Sequence, residues 1–71
     1  MLQLISAPMG SEVTVTKVNA EERIKRRLED LGILAGQTLT PMSDSMGNTV
    51  VKVLESRLVL NHGLAERIYV M

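Results

Sequence analysis

The chain has 71 residues, no cysteine, one aromatic side chain, and eight basic residues balanced by eight acidic ones. This length allows one domain, over residues 1–71, without disulfides or thiolate metal sites, and the neutral charge and missing rings disfavour nucleic-acid binding. No apolar run approaches the roughly 20 residues of a membrane-spanning helix, and the first residues lack the basic start of a signal peptide, so we expect a cytoplasmic protein.

The predicted elements begin with an extended apolar segment at residues 2–5 and a strand over residues 11–18. Pro8 and Gly10 separate the two as turn residues. In the second segment β-branched residues alternate with polar ones, which is typical of a strand with one buried face. We therefore expect the first regular strand of the fold at residues 11–18.

Residues 20–31 carry the strongest helical pattern of the chain. Ile24, Leu28 and Leu31 recur at helical spacing and form one narrow apolar stripe. Such a stripe indicates a helix that lies on a core. We expect this helix to be inserted after the first strand, with Leu28 buried at the centre of its stripe.

Capping residues flank the predicted helix at both ends. Asn19 is a favourable N-cap, and Glu22 stands three residues later, where its side chain can reach back to the Asn19 amide. Gly32 suits the left-handed residue that commonly ends a helix. The sequence therefore predicts both the start and the end of the helix.

The polar surface of the helix is divided by charge. Arg23, Arg26 and Arg27 fall on one flank, with Asp30, and most of the acidic residues fall on the other. The simpler interpretation is a solvated surface held by local ion pairs. The alternative is a surface that docks a protein partner.

Four further strands are predicted after the helix, at residues 37–42, 49–54, 58–60 and 67–71. The Asp, Ser, Gly and Asn residues of segment 43–48 are typical of a hairpin tip. Pro41 cannot donate to a strand ladder, so the end of its strand should lie at a sheet edge or a bulge.

A single helical turn, capped by Asn61, should precede the last strand. Five short strands in a chain of this length cannot form two useful packed sheets. The economical arrangement is one strongly bent sheet that curls into a small barrel. The predicted fold is mainly β, a five-stranded SH3-like barrel with one α-helix inserted after the first strand.

Two segments of the sequence carry a resemblance to a known family. Residues 26–33, Arg-Arg-Leu-Glu-Asp-Leu-Gly-Ile, stand between Gly10 and Gly36, and the chain ends on Arg-Leu-Val-Leu at 57–60 and Ala-Glu-Arg-Ile-Tyr-Val at 65–70. This pattern resembles the FeoA family. The resemblance implies a small cytoplasmic SH3-like protein that accompanies FeoB, the ferrous iron permease, and acts on it by protein contact without a cofactor.

The sequence contains no phosphate-binding loop and no nucleophile–base set, so an enzyme is not predicted. We expect partner contacts from the helix flank and from the hairpin tip, because arginine and methionine are favoured at interfaces. The candidate residues are Arg23, Arg26, Arg27, Met42 and Met46. The five methionines also have a simpler interpretation, as fillers of an irregular core. Self-association stays open.

The alternative function is a free-standing metal-sensing module, related to the C-terminal domain of metal-dependent repressors. His62 and Glu66 stand at i and i+4 on the predicted turn and could share an iron ion, with Asp44 or the methionines as further donors. Two ligands do not make a structural metal site. The sequence therefore favours an exposed or capping role for His62 and assigns no metal ligand.

Overall fold

The computed structural model describes residues 2–71, which form six strands and three helical segments. The strands are β1 (Leu2–Gln3), β2 (Val13–Val18), β3 (Thr38–Ser45), β4 (Asn48–Val53), β5 (Ser56–Asn61) and β6 (Ile68–Val70). The helical segments are a 3₁₀ turn (Leu4–Ser6), α1 (Glu22–Asp30) and α2 (His62–Ala65).

All strand pairs are antiparallel, in the order β1-β6-β2-β3-β4-β5. The sheet curls around one core, and the mainly β, SH3-like fold is confirmed. The structure has one strand more than the five predicted, because residues 2–3 pair with the last strand, Leu2 opposite Val70. Two residues are too few to show an alternating pattern, so only the pairing reveals this strand.

Aliphatic side chains fill the barrel. Leu4, Ile33 and Ile68 are completely buried, and the inward residues of β2, β4 and β6 are each at most 8% exposed. The inward positions alternate along the strands, as the period of two requires. Ile68 and Val70 share the buried face of the last strand, as predicted.

Helix α1 begins at Glu22, two residues later than predicted, and the proposed Asn19 cap is wrong. Glu21 is the N-cap residue, and no side chain of residues 2–71 caps this end. The Asn19 amide instead donates to the Arg67 carbonyl oxygen at 2.7 Å. Asn19 therefore continues the pairing between β2 and β6, which holds it away from the helix.

The apolar stripe of α1 is only partly buried. Leu28 is 2% exposed, whereas Ile24 is 36% exposed and Leu31 is 43% exposed. The prediction of a buried Leu28 is confirmed, but the helix does not cover the core along its whole length. Since α1 spans nine residues, a single side chain provides its main attachment to the barrel.

The C-terminal end of α1 closes as predicted on Gly32. This residue has φ +95°, and its amide donates to the Glu29 carbonyl oxygen at 3.0 Å. The Ile33 amide donates to the Leu28 carbonyl oxygen at 2.8 Å, which completes a Schellman motif. A β-carbon at Gly32 would lie 2.9 Å from Val53 Cγ1, so the cap lies directly against the end of β4.

The hairpin between β3 and β4 is tighter than predicted. Strand β3 continues to Ser45, and the turn contains only Met46 and Gly47, with φ +51° and +79°. Two positive φ values in succession are typical of a type I′ turn. Of the two alternatives predicted for the end of the strand that contains Pro41, a sheet edge or a bulge, the structure shows the bulge. The register with β4 shifts between Pro41 and Ser43, and β3 is an interior strand.

The second hairpin turns one residue earlier than predicted. Leu54 and Glu55 form the turn, and β5 begins at Ser56. Leu54 adopts φ +56°, a conformation that leucine rarely occupies. The sequence therefore contains no local signal for a turn at this position.

The Asn61 cap of α2 is confirmed, because its Oδ1 accepts a hydrogen bond from the Leu64 amide at 2.8 Å.

Leu28→Ala is expected to lower the free energy of unfolding by about 2–5 kcal/mol, because the truncation leaves a cavity in the core. Ile24→Ala lies one helical turn earlier on the same stripe. It is expected to cost about 1 kcal/mol or less, since surface substitutions have small effects. Urea denaturation followed by circular dichroism measures both. Equal losses would show that the stripe is buried along its whole length.

Gly32→Ala and Gly36→Ala separate backbone strain from steric contact. Gly36 has φ +94° and open space around its α-carbon, so alanine there is expected to cost about 1–2 kcal/mol from the left-handed backbone alone. Gly32→Ala is expected to cost more, because its β-carbon also meets Val53. Thermal and urea unfolding compare the two, and a smaller loss at Gly32 would contradict a rigid contact between the cap and β4.

Candidate functional site

An open groove of about 570 Å³ separates α1 from α2. Ile24 and Arg27 form the wall on the side of α1. The opposite wall is built from α2 and the residues on either side of it: Asn61, Gly63, Leu64, Glu66 and Arg67. The groove therefore lies between the only two α-helices of residues 2–71.

The groove exists because α1 is attached near its C-terminal end. Leu28 and the Gly32 cap hold that end on the barrel, one turn or more beyond Ile24. The N-terminal half leaves Ile24 partly exposed, facing the groove. On the other side, Leu64 is half-buried against the core. The groove thus has apolar side chains on both walls.

Two arginines line this groove, Arg27 on α1 and Arg67 after α2. Within residues 2–71 neither takes part in a salt bridge. Arg67 makes one long hydrogen bond, from Nη1 to the Asn19 carbonyl oxygen at 3.4 Å. The acidic residue of the lining is Glu66. The lining therefore carries two guanidinium groups and one carboxylate.

The structure divides the predicted helix flank. Arg23 lies 3.4 Å from Glu21 and Arg26 lies 3.8 Å from Glu22, and both arginine side chains are largely exposed. These two fit the interpretation of a solvated, ion-paired surface. Arg27 alone of the three reaches the groove.

The two candidate methionines lie in the β3–β4 hairpin, outside the groove. Met42 occupies the bulge and is 39% exposed, and Met46 at the tip is 97% exposed. The His62 amide donates to the Gly47 carbonyl oxygen at 2.9 Å. The hairpin tip therefore adjoins the start of α2, next to the groove.

The structure joins two of the three residues considered for a metal. His62 Nε2 lies 2.6 Å from Asp44 Oδ1, which links the hairpin to α2 by side chains as well as by backbone. The described part of the chain holds no group of three or more His, Cys, Asp or Glu side chains arranged for a metal ion. The contact can therefore act as a structural tie between these elements without a metal.

Sequence reasoning missed the wall formed by Leu64 and Arg67. The sequence predicts an isolated helical turn at Leu64 and the start of the last strand at Arg67. Neither position has a pattern that pairs it with residues 24 and 27, more than one-third of the chain away. Only the barrel closure brings the two segments together.

In residues 2–71, no helix has the length and apolar character needed to cross a membrane.

Comparison with known proteins agrees with the curled sheet and inserted helix of a small SH3-like domain. A family model described as the FeoA domain matches residues 2–71. The chain therefore belongs to the FeoA family, a family of small accessory proteins with a role in ferrous iron transport. A search of curated proteins finds no significant match.

Three solved structures are similar to the chain. The FeoA protein of Chlorobium tepidum is 30% identical, with a TM-score of 0.89, over 97% of this chain and 68% of that one. An iron uptake regulatory protein, FeoA, is 24% identical with a TM-score of 0.86, over 99% and 93% of the two chains. A FeoA-like protein of Clostridium acetobutylicum is 21% identical with a TM-score of 0.82, over 99% and 84%. The last two likenesses show the fold alone.

Met46→Asn is expected to raise the free energy of unfolding by about 0.5–1 kcal/mol, because asparagine followed by glycine suits a type I′ turn. Met46 now occupies that position in a left-handed conformation, almost fully exposed. Met9→Asn, at another exposed methionine with negative φ, is the control and should change stability by less than about 0.5 kcal/mol. Chemical denaturation measures both, and a loss of stability at Met46 would show that its side chain supports the hairpin.

Proposed function

We propose that this protein is a non-enzymatic accessory of ferrous iron transport that acts by contact with the cytoplasmic part of a FeoB-type permease. Membership of the FeoA family supports the transport role. The observation that supports contact is the groove between α1 and α2, with its partly exposed apolar walls and two arginines that form no salt bridge within residues 2–71.

The chemistry of the groove suits binding. Among the described residues, Glu66 provides the one carboxylate of the lining, and no serine, cysteine or histidine side chain lines the groove. General acid–base catalysis needs an acid or base placed beside a reacting group, and nucleophilic catalysis needs an activated nucleophile. Arginine beside exposed aliphatic side chains is instead a composition favoured at protein interfaces.

The candidate arginines and methionines lie in the groove or near it. Arg27 lies in the groove, whereas Arg23 and Arg26 lie on the exposed flank of the same helix. Charges at a rim guide association more than they add affinity. Met46, at the tip that adjoins α2, offers an exposed apolar side chain. We propose that the partner covers the groove and extends over this tip, with Met42 at its margin.

Direct iron sensing is the second candidate, and the contact between Asp44 and His62 is the observation that favours it. An imidazole and a carboxylate suit ferrous iron, but they supply only two ligands. Anaerobic titration calorimetry with ferrous iron distinguishes the candidates. Sub-micromolar binding that is lost in Asp44→Asn would support a sensor, and absence of heat would support the accessory role.

Ile24→Asp is expected to reduce recovery of the permease at least about tenfold in a pull-down from detergent-solubilised membranes, because it places a charge on the apolar wall. Val59→Asp is the matched control. Val59 is 66% exposed on β5 and does not line the groove, so recovery should equal that of the unaltered protein. Circular dichroism confirms that both variants are folded.

Two outcomes would contradict the proposal. If the unaltered protein recovers no permease, the proposed contact between the two proteins does not form. If Ile24→Asp and Val59→Asp recover equal amounts, the groove is not the docking surface. The charges of Arg23 and Arg26, at the rim of the proposed contact, are tested separately. Both charges are reversed together, and growth of a deletion strain on ferrous iron is measured.

A further inference from the structure

We infer that the groove binds a short acidic and apolar segment of a protein partner, in which side-chain carboxylates pair with Arg27 and Arg67 beside an apolar side chain that packs on Ile24 and Leu64. This inference names the chemistry of the occupant and rests on the proposed function for its biological setting. Its basis is the arrangement of charges and apolar surface around the groove.

The arginines on and near α1 differ in whether a carboxylate lies beside them. Arg23 and Arg26 have carboxylate neighbours on their own helix or at its N-cap. Arg27 and Arg67, which line the groove, have no such neighbour within 4.0 Å in residues 2–71. Planar guanidinium groups match carboxylates in two-point hydrogen bonds. An acidic partner would therefore supply what the chain itself does not provide.

Glu66 restricts where a bound segment can place its carboxylates in the groove. With two guanidinium groups and one carboxylate, the lining has one net positive charge. A basic segment would meet both arginines and is disfavoured. A carboxylate beside Glu66 would be repelled, so the acidic groups of the partner are confined to Arg27 and Arg67.

The apolar part of the occupant follows from Ile24 and Leu64. Ile24 is 36% exposed and Leu64 is half-buried, one on each wall. An aliphatic side chain placed between them would be covered on two sides. The volume of about 570 Å³ lies in the range of small-ligand pockets, so the groove holds a few side chains of a segment.

The test uses a peptide titration of the isotope-labelled full chain followed by amide chemical shifts. The probe is a capped peptide with two adjacent leucines and two glutamates on each side. The first control replaces the glutamates with glutamine, and the second replaces them with lysine. Saturable shifts confined to residues 24–28 and 61–67 are expected with the glutamate peptide, and at least about tenfold weaker binding with both controls.

Matched variants assign the charge to the groove. Arg27→Gln and Arg67→Gln should each weaken binding of the glutamate peptide at least about fivefold and make it less sensitive to salt. Arg57→Gln removes the same charge from an exposed position on β5, outside both the groove and the flank of α1, and the affinity for the peptide should stay within about twofold. The amide spectrum of each variant reports directly whether it is folded.

The inference is overturned if the glutamine peptide binds as tightly as the glutamate peptide, if Arg27→Gln and Arg57→Gln weaken binding equally, or if no peptide shifts the amide signals of the groove. These results are independent of the permease pull-down. A permease contact that needs Ile24, together with no preference for acidic peptides, would leave the proposed function standing and remove this inference. Binding of the acidic peptide without recovery of the permease would support this inference and contradict the proposed function.

Discussion

The structure depends on the contact between the C-terminal cap of α1 and the end of β4. Gly32 brings the backbone so close to Val53 that a β-carbon would overlap with the valine side chain. The two cap hydrogen bonds and buried Leu28 hold the same end of the helix. Because the attachment is concentrated there, the other end of α1 is free to form one wall of a groove rather than a lid on the core.

The second wall depends on several ties to α2, an element too short to be stable alone. Asn61 caps it, Ala65 is completely buried, and the Gln3 side chain donates to the Glu66 carbonyl oxygen at 2.9 Å. His62 connects it to the β3–β4 hairpin through Asp44 and Gly47. Strand β3, the turn of that hairpin and the N-terminal strand therefore help to shape the groove, and a change at the hairpin tip can reach its wall.

Charge distribution separates two kinds of arginine on one small domain. Surface ion pairs contribute little stability, so the pairs of Arg23 and Arg26 matter mainly because they occupy these guanidinium groups. Arg27 and Arg67 have no carboxylate partner within residues 2–71, and Arg67 makes only one long hydrogen bond, to the Asn19 carbonyl oxygen. A domain with no net charge can thus present a local positive site next to aliphatic surface.

The sequence by itself determined the features that depend on neighbouring residues: the helical stripe around Leu28, the glycine cap at Gly32, the Asn61 cap, and the need for a sheet edge or a bulge at Pro41. Spacing, caps and missing amide donors act within a few residues, and the FeoA pattern was readable in the same segments. Tertiary structure alone decided that Asn19 joins a strand, that Ile24 stays exposed, that Asp44 meets His62 and that Arg27 faces Arg67. Each of these depends on segments that are distant in the chain and meet only when the sheet curls, and local propensity contains no information about that closure.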